Sequence, residues 1–342
     1  MLAAGGGACG DDAVKRGALA PAALVAVLVA TPGVAQQKGD AKGEAWPSRN
    51  IRFIVPFSPG SGPDAVGRRL GQGLTERTGR IVVVDSRPGV SGLLGTHEVA
   101  RGTPDGHTIG LLSMTMAVSQ GMLSKPPVDI ARDVEPVIQL FRQYTIVIVR
   151  PDSPLRTARD LVDLLKQKPG AYTFASGGSG TPAHLAGELF VRSVGARATH
   201  VPYKAIALAI TDIVRGDVLF ACSVMTNVAT LIQGGRLKAL GVVGPKRVSA
   251  FPDVPAFTEL GLPDPEVSSW SGIMVPKGTP LPLRRRMQAL FTEVVDDPVH
   301  AKAFEMLGLE PAKQDIDTFG ATIRSEVARW GKFVREADLR MD

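Results

Sequence analysis

Two short stretches carry the residue types and spacing that could do chemistry. The first is Phe57-Ser-Pro-Gly-Ser-Gly-Pro-Asp64. It follows an apolar, β-prone run over 51–57 and precedes Val66, Leu70 and Leu74 at helical spacing. Proline is favoured in a first helical turn, because its missing N–H would have no intrahelical partner there. Pro63 therefore marks a helix start, and the order is strand, glycine turn, helix. Such a turn presents backbone N–H groups at the positive end of a helix, which suits an anion. Gly60 and Gly62 would let a ligand approach the backbone closely. The second stretch has the same design. Residues 172–176 read as a strand, Gly177-Gly-Ser-Gly180 as the turn, Thr181 as an N-cap and Pro182 as the first helical residue. Two anion-ready helix starts in one chain predict two lobes facing each other across a cleft.

The elements that must position these turns alternate between strand and helix patterns. A strand at 81–85, a glycine turn at 87–92, a helix at 93–100, a tight turn at 103–106 and a strand at 108–113 follow the first motif. This β-α-β-α-β order implies an α/β fold with parallel strands and right-handed crossovers. Separate strands are expected at 135–140 and 145–150, the second crossing into the other lobe at Pro151. That lobe should hold helices at 157–167, from Pro182, at 205–215 and at 227–233, with strands at 199–203, 218–223 and 237–243. A strand at 268–275 returns to the first lobe, and helices follow at 281–295, 298–307 and 318–337. No long structureless loop is expected. In open α/β sheets ligands sit beyond the carboxyl ends of strands. That places Phe57 to Gly62, Arg87 to Gly92, Ser113, Ser176 to Thr181, Tyr203, Lys204 and Ser223 at the candidate cleft.

Composition bounds the function. The chain has 342 residues, 44% of them hydrophobic, enough for two α/β lobes. Its net charge of +6 is scattered, with tight clusters only at Lys246-Arg247 and 284–286, and aromatics make up 5%. A basic stripe with interleaved aromatics is missing, so nucleic acid is not an expected partner. Lys15-Arg16, an apolar run over 17–30 and small residues before Gln36 match a secretory signal over 1–35. The run is too short for a comfortable membrane span. Cys9 lies ahead of that run, leaving Cys222 alone in the mature chain without an internal disulfide partner. Its apolar surroundings point to a buried, inert thiol. Neither a Gly-Lys-Ser/Thr loop nor a metal-ligand cluster occurs, so no cofactor and no metal are expected.

Further segments share an order and spacing with the first two: Trp46-Pro-Ser-Arg, Arg87-Pro-Gly, Pro104-Asp-Gly-His-Thr108, His200-Val-Pro-Tyr-Lys204, Pro252-Asp-Val-Pro255 and Pro276-Lys-Gly-Thr-Pro280. Together they resemble the Bug/TctC-type family, the extracytoplasmic solute-binding proteins of tripartite tricarboxylate transporters, from residue 46 to about 340. The resemblance implies a type II periplasmic-binding-protein fold, with two lobes and a hinge closing on a carboxylate ligand held mainly by backbone amides and waters. The lobes would be 36–146 with 269–342, and 147–268. Ligand contacts implied by position are Phe57, Gly60, Ser61, Gly62 and Asp64 in the first lobe. In the second they are Ser176, Ser179, Gly180, Thr181 and His184. The implied partners are a small carboxylate and the membrane subunits of such a transporter, the protein acting as a periplasmic monomer. Three departures stand out: Ser61-Gly62 for the usual Gly-Gly, Ala205 for the usual Gly, and Ser223-Val224 where an Asp-Asn pair is common. The last weakens any case for an amino acid ligand.

Other readings stay open at this point. Asp64 either opposes the helix dipole or lines the pocket. His184 either caps its helix or meets ligand, and Trp270 is either cleft lining or core. Arg87 is expected to brace its turn through backbone carbonyls. Gly178-Ser179-Gly180 near His184 hints at a serine enzyme, but lacks the Gly-x-Ser-x-Gly pattern and a carboxylate to orient the histidine. The Gly60-Ser-Gly62 turn hints at a dinucleotide site, but Ala65 stands where a third glycine belongs; Asp85 keeps that alternative alive. A sensing or interaction module without transport is the remaining alternative. The N-terminal pattern makes one direct prediction: N-terminal sequencing of exported protein should begin at or within a few residues of Gln36. Retention of Lys15-Arg16 in the mature form would refute it.

Overall fold

A computed structural model describes residues 46–265 and 267–340; the signal-peptide reading lies outside them. The first motif becomes β1 (Ile51–Val55) and α1 (Gly62–Thr78). Then come β2 (Val82–Ser86), α2 (Leu93–Ala100), β3 (Thr108–Ser113), α3 (Met114–Met122) and β4 (Val134–Val149). Next are α4 (Ala158–Gln167), β5 (Thr173–Ser176), α5 (Pro182–Ser193), β6 (Thr199–Pro202), α6 (Ile206–Arg215), β7 (Phe220–Val224), α7 (Met225–Gln233) and β8 (Lys238–Val243). The chain ends with β9 (Ser268–Pro276), α8 (Leu281–Asp296), α9 (Pro298–Met306), β10 (Glu310–Gln314) and α10 (Ile316–Glu336). Local chemistry sets the helix starts. At α4, Thr157 Oγ1 accepts from the Asp160 N–H (3.3 Å) while the Asp160 carboxylate accepts from the Thr157 N–H (3.0 Å), a capping box.

The strands form one ten-stranded sheet in the order β2-β1-β3-β9-β4-β7-β5-β6, with β8 and β10 also on β4. As the β-α-β order requires, β1 is parallel to β2 and β3, and β5 is parallel to β6 and β7. The strands around β4 are antiparallel. From Val134 to Tyr144, β4 pairs with β9; from Thr145 onward it pairs with β7 and β8. The two expected strands at 135–140 and 145–150 are thus one strand, and the change of partners falls at Tyr144–Thr145, ahead of Pro151. The intervening Phe141, Gln143 and Tyr144 are all buried, and the pairing with β9 continues through them after a register shift between Gln139 and Phe141.

Both faces of the sheet are covered. Val55, Leu70, Leu74, Phe291 and Phe304 pack between β1, α1, α8 and α9. On β4, Ile146 and Ile148 pack with Ile213 and Val228, while Val147 and Val149 join a cluster running from Leu112, Met116 and Phe319 to Phe174 and Phe220. Alternate strand residues point to opposite faces. Cys222 is fully buried in the second cluster, and burial pushes its thiol pKa up, as its apolar surroundings predict.

Three features differ from the sequence expectation. Helix α3 and strand β10 have weak sequence signals: α3 starts directly after β3 with no proline or charged cap, and β10 contains Pro311. Residues 244–265 form a long irregular connection, which the sequence reading did not anticipate. It is packed rather than free, with Val248, Phe251, Ala256, Phe257 and Leu262 buried. Isolated bridges Val242↔Ala256 and Val248↔Phe251 and a 2.7 Å Arg247–Glu259 ion pair tie it down.

Candidate functional site

A cleft of about 400 Å³ opens over the seam where β3, β9 and β4 meet. The first turn lines one side with Phe57 to Pro63, followed by Val66 on α1. Opposite stand Gly177, Thr181 to Ala183, Lys204 to Ala207, Ile210 and the start of α7 with Val224, Thr226 and Asn227. Leu111, Ser113, Thr115, Gln143, Ser269 and Ser271 line it from the sheet and the start of α3. Of the candidates named from sequence, Phe57 to Gly62, Ser113, Gly177, Thr181 and Lys204 meet at this cleft.

The others sit behind its walls. Asp64 is 2% exposed and faces inward. Its carboxylate accepts from the Gly60 N–H (2.9 Å), Ser86 Oγ (2.6 Å) and Arg68 Nε (2.9 Å). Burial alone would raise its pKa; those hydrogen bonds outweigh it and hold the group below the usual carboxylate range. Ser176 Oγ contacts His200 Nε2 at 2.8 Å and accepts from the Gly178 N–H at 3.2 Å. Ser179 offers its carbonyl to Ser91 Oγ at 3.1 Å. His184 is buried, stacks on His200 with centroids 4.0 Å apart, and accepts the Gly180 N–H through Nδ1 (3.2 Å). Tyr203 donates to Asp212 (2.6 Å); that bond, with burial, lifts its pKa to about 12. Ser223 Oγ, fully buried, bonds the Val224 carbonyl (3.3 Å). Trp270 is core: it meets Phe319 edge-on and donates to Glu326 (3.1 Å).

The turns' N–H groups are not bare. Gly60 donates to Asp64, Ser61 to the Ser58 carbonyl (3.1 Å) and Gly62 to Asn227 Oδ1 (3.0 Å). In the second turn Gly178, Gly180 and Thr181 donate to Ser176, His184 and the Gly178 carbonyl. Thr181 Oγ1 caps α5 by accepting from the His184 N–H (3.3 Å), as its place before Pro182 predicts. Ser61, the N-cap of α1, makes no side-chain cap bond; Asn227, distant in sequence, takes that role. Gly62 is required for the close approach. A Cβ there would fall inside the contact distance of the Thr226 backbone carbonyl.

Arg87 does not bond backbone carbonyls as expected. It donates to Asp85 (2.9 Å), which also accepts from Arg52 (2.6 Å). Burial raises the Asp85 pKa, but the two guanidinium groups hold it below the ordinary value. An aspartate so occupied is not free for a ribose, which removes the support for a dinucleotide site. The sequence reading missed Gln143, Thr115, Ser269 and Ser271. The available signal was period-two alternation on β9, where Ser269 and Ser271 point away from the Trp270 face.

A two-part α/β sheet around one cleft, crossed twice by adjacent strands, is the architecture of a periplasmic binding protein. Residues 66–339 match the model of the tripartite tricarboxylate transporter family receptor, TctC, and the chain belongs to that family. Its members are solute-binding proteins, not enzymes. The chain is 31% identical over 321 residues to Protein BugT of Bordetella pertussis, covering 93% of this chain and 98% of BugT. The solved structure of the periplasmic binding protein BugD is similar at 28% identity and TM-score 0.79, over 87% of this chain and all of BugD. That of R. palustris Rpa4515 with adipate is similar at 26% identity and TM-score 0.81, over 86% of this chain and 99% of Rpa4515.

Two predictions follow from this geometry. Gly62→Ala forces apart backbones that no side-chain rotation can relieve. It should weaken ligand binding at least tenfold, about 1.4 kcal/mol, and enlarge the radius of gyration of the ligand-saturated protein in small-angle scattering. Unchanged affinity and radius would show that the α1–α7 contact is irrelevant to binding. The second concerns pH. Burial lowers the pKa of His184 to about 4 and of His200 to about 3, so both rings are neutral in the fold. The unfolded chain takes up protons below the usual histidine value of 6.5, while the folded chain does not until the lowered values. Stability is therefore full above pH 6.5 and falls as pH drops toward 4 and then 3. Melting curves should show this loss, and His184→Gln with His200→Gln should flatten it between pH 6.5 and 4. An unchanged slope in the double variant would refute the assignment.

Proposed function

We propose that this chain captures a small carboxylate in the periplasm and delivers it to the membrane subunits of a tripartite tricarboxylate-type transporter, acting as a monomer after removal of residues 1–35. The observation that carries the reading is the cleft's charge balance. Its lining holds no acidic side chain and one titratable group, Lys204, among the described residues. A cationic ligand would find no counter-charge there; an anion of modest size would. The binding of adipate by a relative of 26% identity supports the same class.

Lobes of 36–146 with 269–342, and of 147–268, would close over that ligand. The crossing strands β4 and β9 pair side by side at Tyr144↔Ser268, which supports a hinge there rather than at two remote linkers. Hinge closure of this kind is a common means of enclosing a ligand. Mass spectrometry of the small molecule that co-purifies with protein taken from its native periplasm should identify a carboxylate. Calorimetry with that compound should show binding, scattering should show a smaller radius when it saturates the protein, and cells lacking the protein should lose its uptake. Amidating the ligand's carboxylate should cost at least tenfold in affinity, about 1.4 kcal/mol. A bound ligand without a carboxylate, or no change in uptake, would overturn the reading.

A further inference from the structure

Besides the two glycine turns, the start of α7 faces the cleft. Val224, Thr226, Asn227 and Thr230 bring its first turns to the lining. The N-cap position is Val224, whose side chain cannot cap, and no acidic residue stands in the first turn. The first N–H groups of a helix have no intrahelical partner, and here no side-chain cap takes one. Helix α1, by contrast, carries Asp64 in its first turn, and α5 has Thr181 as its cap. Helices α3 and α6 also begin at the cleft without side-chain caps. An uncapped start alone does not make a site; α7 is set apart by the amides gathered on it.

Gln143, on β4, is 7% exposed and lines the cleft. Its Oε1 accepts from Thr226 Oγ1 (3.3 Å), which fixes the amide on the first turn of α7. Its Nε2 has no partner among the described residues and is not sealed in the core. A buried amide donor left open in a cavity calls for an acceptor. Ser269, opposite Gln143 on β9 and 3% exposed, adds a hydroxyl without a protein partner. Asn227 supplies a second amide. Its Oδ1 is taken by the Gly62 N–H (3.0 Å), which leaves its Nδ2 as the free donor at the lining. These side chains are all neutral donors, and the lining holds no acidic side chain among the described residues. The positive end of α7 is therefore unopposed there and favours an anion.

We infer that the start of α7, with Gln143, Asn227 and Ser269, is an anion subsite that takes the second carboxylate of a dicarboxylate. The inference rests on the reading of the cleft as a carboxylate site and adds an anchor to it; the first carboxylate stays at the glycine-turn end. A carboxylate only accepts, at about four lone-pair positions. Gln143 Nε2, Asn227 Nδ2, Ser269 Oγ and a first-turn N–H of α7 are donors suited to it. An ammonium group only donates, and it would face donors and a positive helix end. The Ser223-Val224 pair matters for this choice. Ser223 is fully buried with its hydroxyl on the Val224 carbonyl, and the Val224 side chain is apolar. An aspartate at either position would set a protein carboxylate against the ligand's.

The test is calorimetry on protein stripped of ligand by unfolding and refolding. The probes are succinate, glutarate and adipate, each against its monoamide and against butanoate, pentanoate or hexanoate of equal length. Aspartate and glutamate are the ammonium-bearing pair. At least one diacid should bind about tenfold or more tightly than its monoamide and its monocarboxylate, and aspartate and glutamate should bind more weakly than succinate and glutarate. Asn227→Asp keeps an oxygen for the Gly62 N–H and suits a helix start, so its melting temperature should be parental or higher. It should nevertheless lower the affinity of that diacid about tenfold and that of the matching monocarboxylate much less. Gln143→Met should weaken the diacid in the same selective way. Diacids that bind no more tightly than their monoamides overturn the second subsite and leave the carboxylate cleft standing. Parental diacid affinity in both variants overturns its placement at α7. A preference for aspartate or glutamate overturns the reading of that helix start as an anion subsite. Binding of none of the acids overturns the carboxylate reading itself and this inference with it.

Discussion

The structure depends on one strand that belongs to both halves of the sheet. β4 spends its first eleven residues hydrogen-bonded to β9 and its last five to β7 and β8. Its two faces are buried in different clusters, Ile146 and Ile148 in one, Val147 and Val149 in the other. A strand held by ladders on both sides and packed on both faces cannot be pulled out locally without exposing many polar and apolar groups at once. The freedom left to it is twist where it changes partners. β9 returns at that same place, so the two crossings lie side by side at Tyr144↔Ser268. Gly272, midway along β9, shows how tight this region is: a Cβ there would collide with the Ile138 carbonyl and the Phe319 ring.

Around this rigid seam, the contacts across the cleft are few and individually weak. Gly62 donates to Asn227, Ser91 to Ser179, Thr226 to Gln143, and Gln233 to the Met306 carbonyl; Lys246 pairs with Glu310 at 3.1 Å. A net hydrogen bond contributes about 0.5–1.5 kcal/mol and an exposed ion pair about 0–1 kcal/mol. A set of this size holds the walls near one another without locking them. A ligand shifts such an equilibrium only by its difference in affinity for the two arrangements. Apolar residues of α1 and α6, Val66, Ile206 and Ile210, line the two sides of the cleft.

Much of the architecture was legible in local pattern. Pro63 and Pro182 marked helix starts, the β-α-β order implied parallel strands, and Thr181 was a recognisable cap. These are short-range effects, written in neighbouring residues. What was not legible depended on contacts distant in sequence. β4 read as two strands because Phe141 to Tyr144 mixes polar and apolar residues; only the pairing with β9 makes them one. β10 is held in the sheet by β4 despite its proline. Gln143, Ser269 and Ser271 are ordinary polar residues until the antiparallel register places them on one face. Asp64 and His184 accept N–H groups of their own turns, since a first-turn side chain readily reaches back to the turn before it.

The same locality explains why the glycine turns are scaffolds more than donors. An anion at the start of α1 is favourable, and the turn already contains one. The Asp64 carboxylate accepts the Gly60 N–H and is itself balanced by Arg68. The second turn uses neutral acceptors to the same end, Ser176 and His184, the latter kept uncharged by burial against His200. Each turn thereby holds its shape without a ligand. That rigidity has a consequence for recognition. The helix starts still direct their positive ends toward the cleft and bias it toward anions, but the N–H groups of Gly60, Ser61, Gly62, Gly178, Gly180 and Thr181 are committed. Uncommitted polar side chains at the cleft lie both on the sheet, as Ser269 and Ser271, and on the first turn itself, where Ser61 Oγ has no partner.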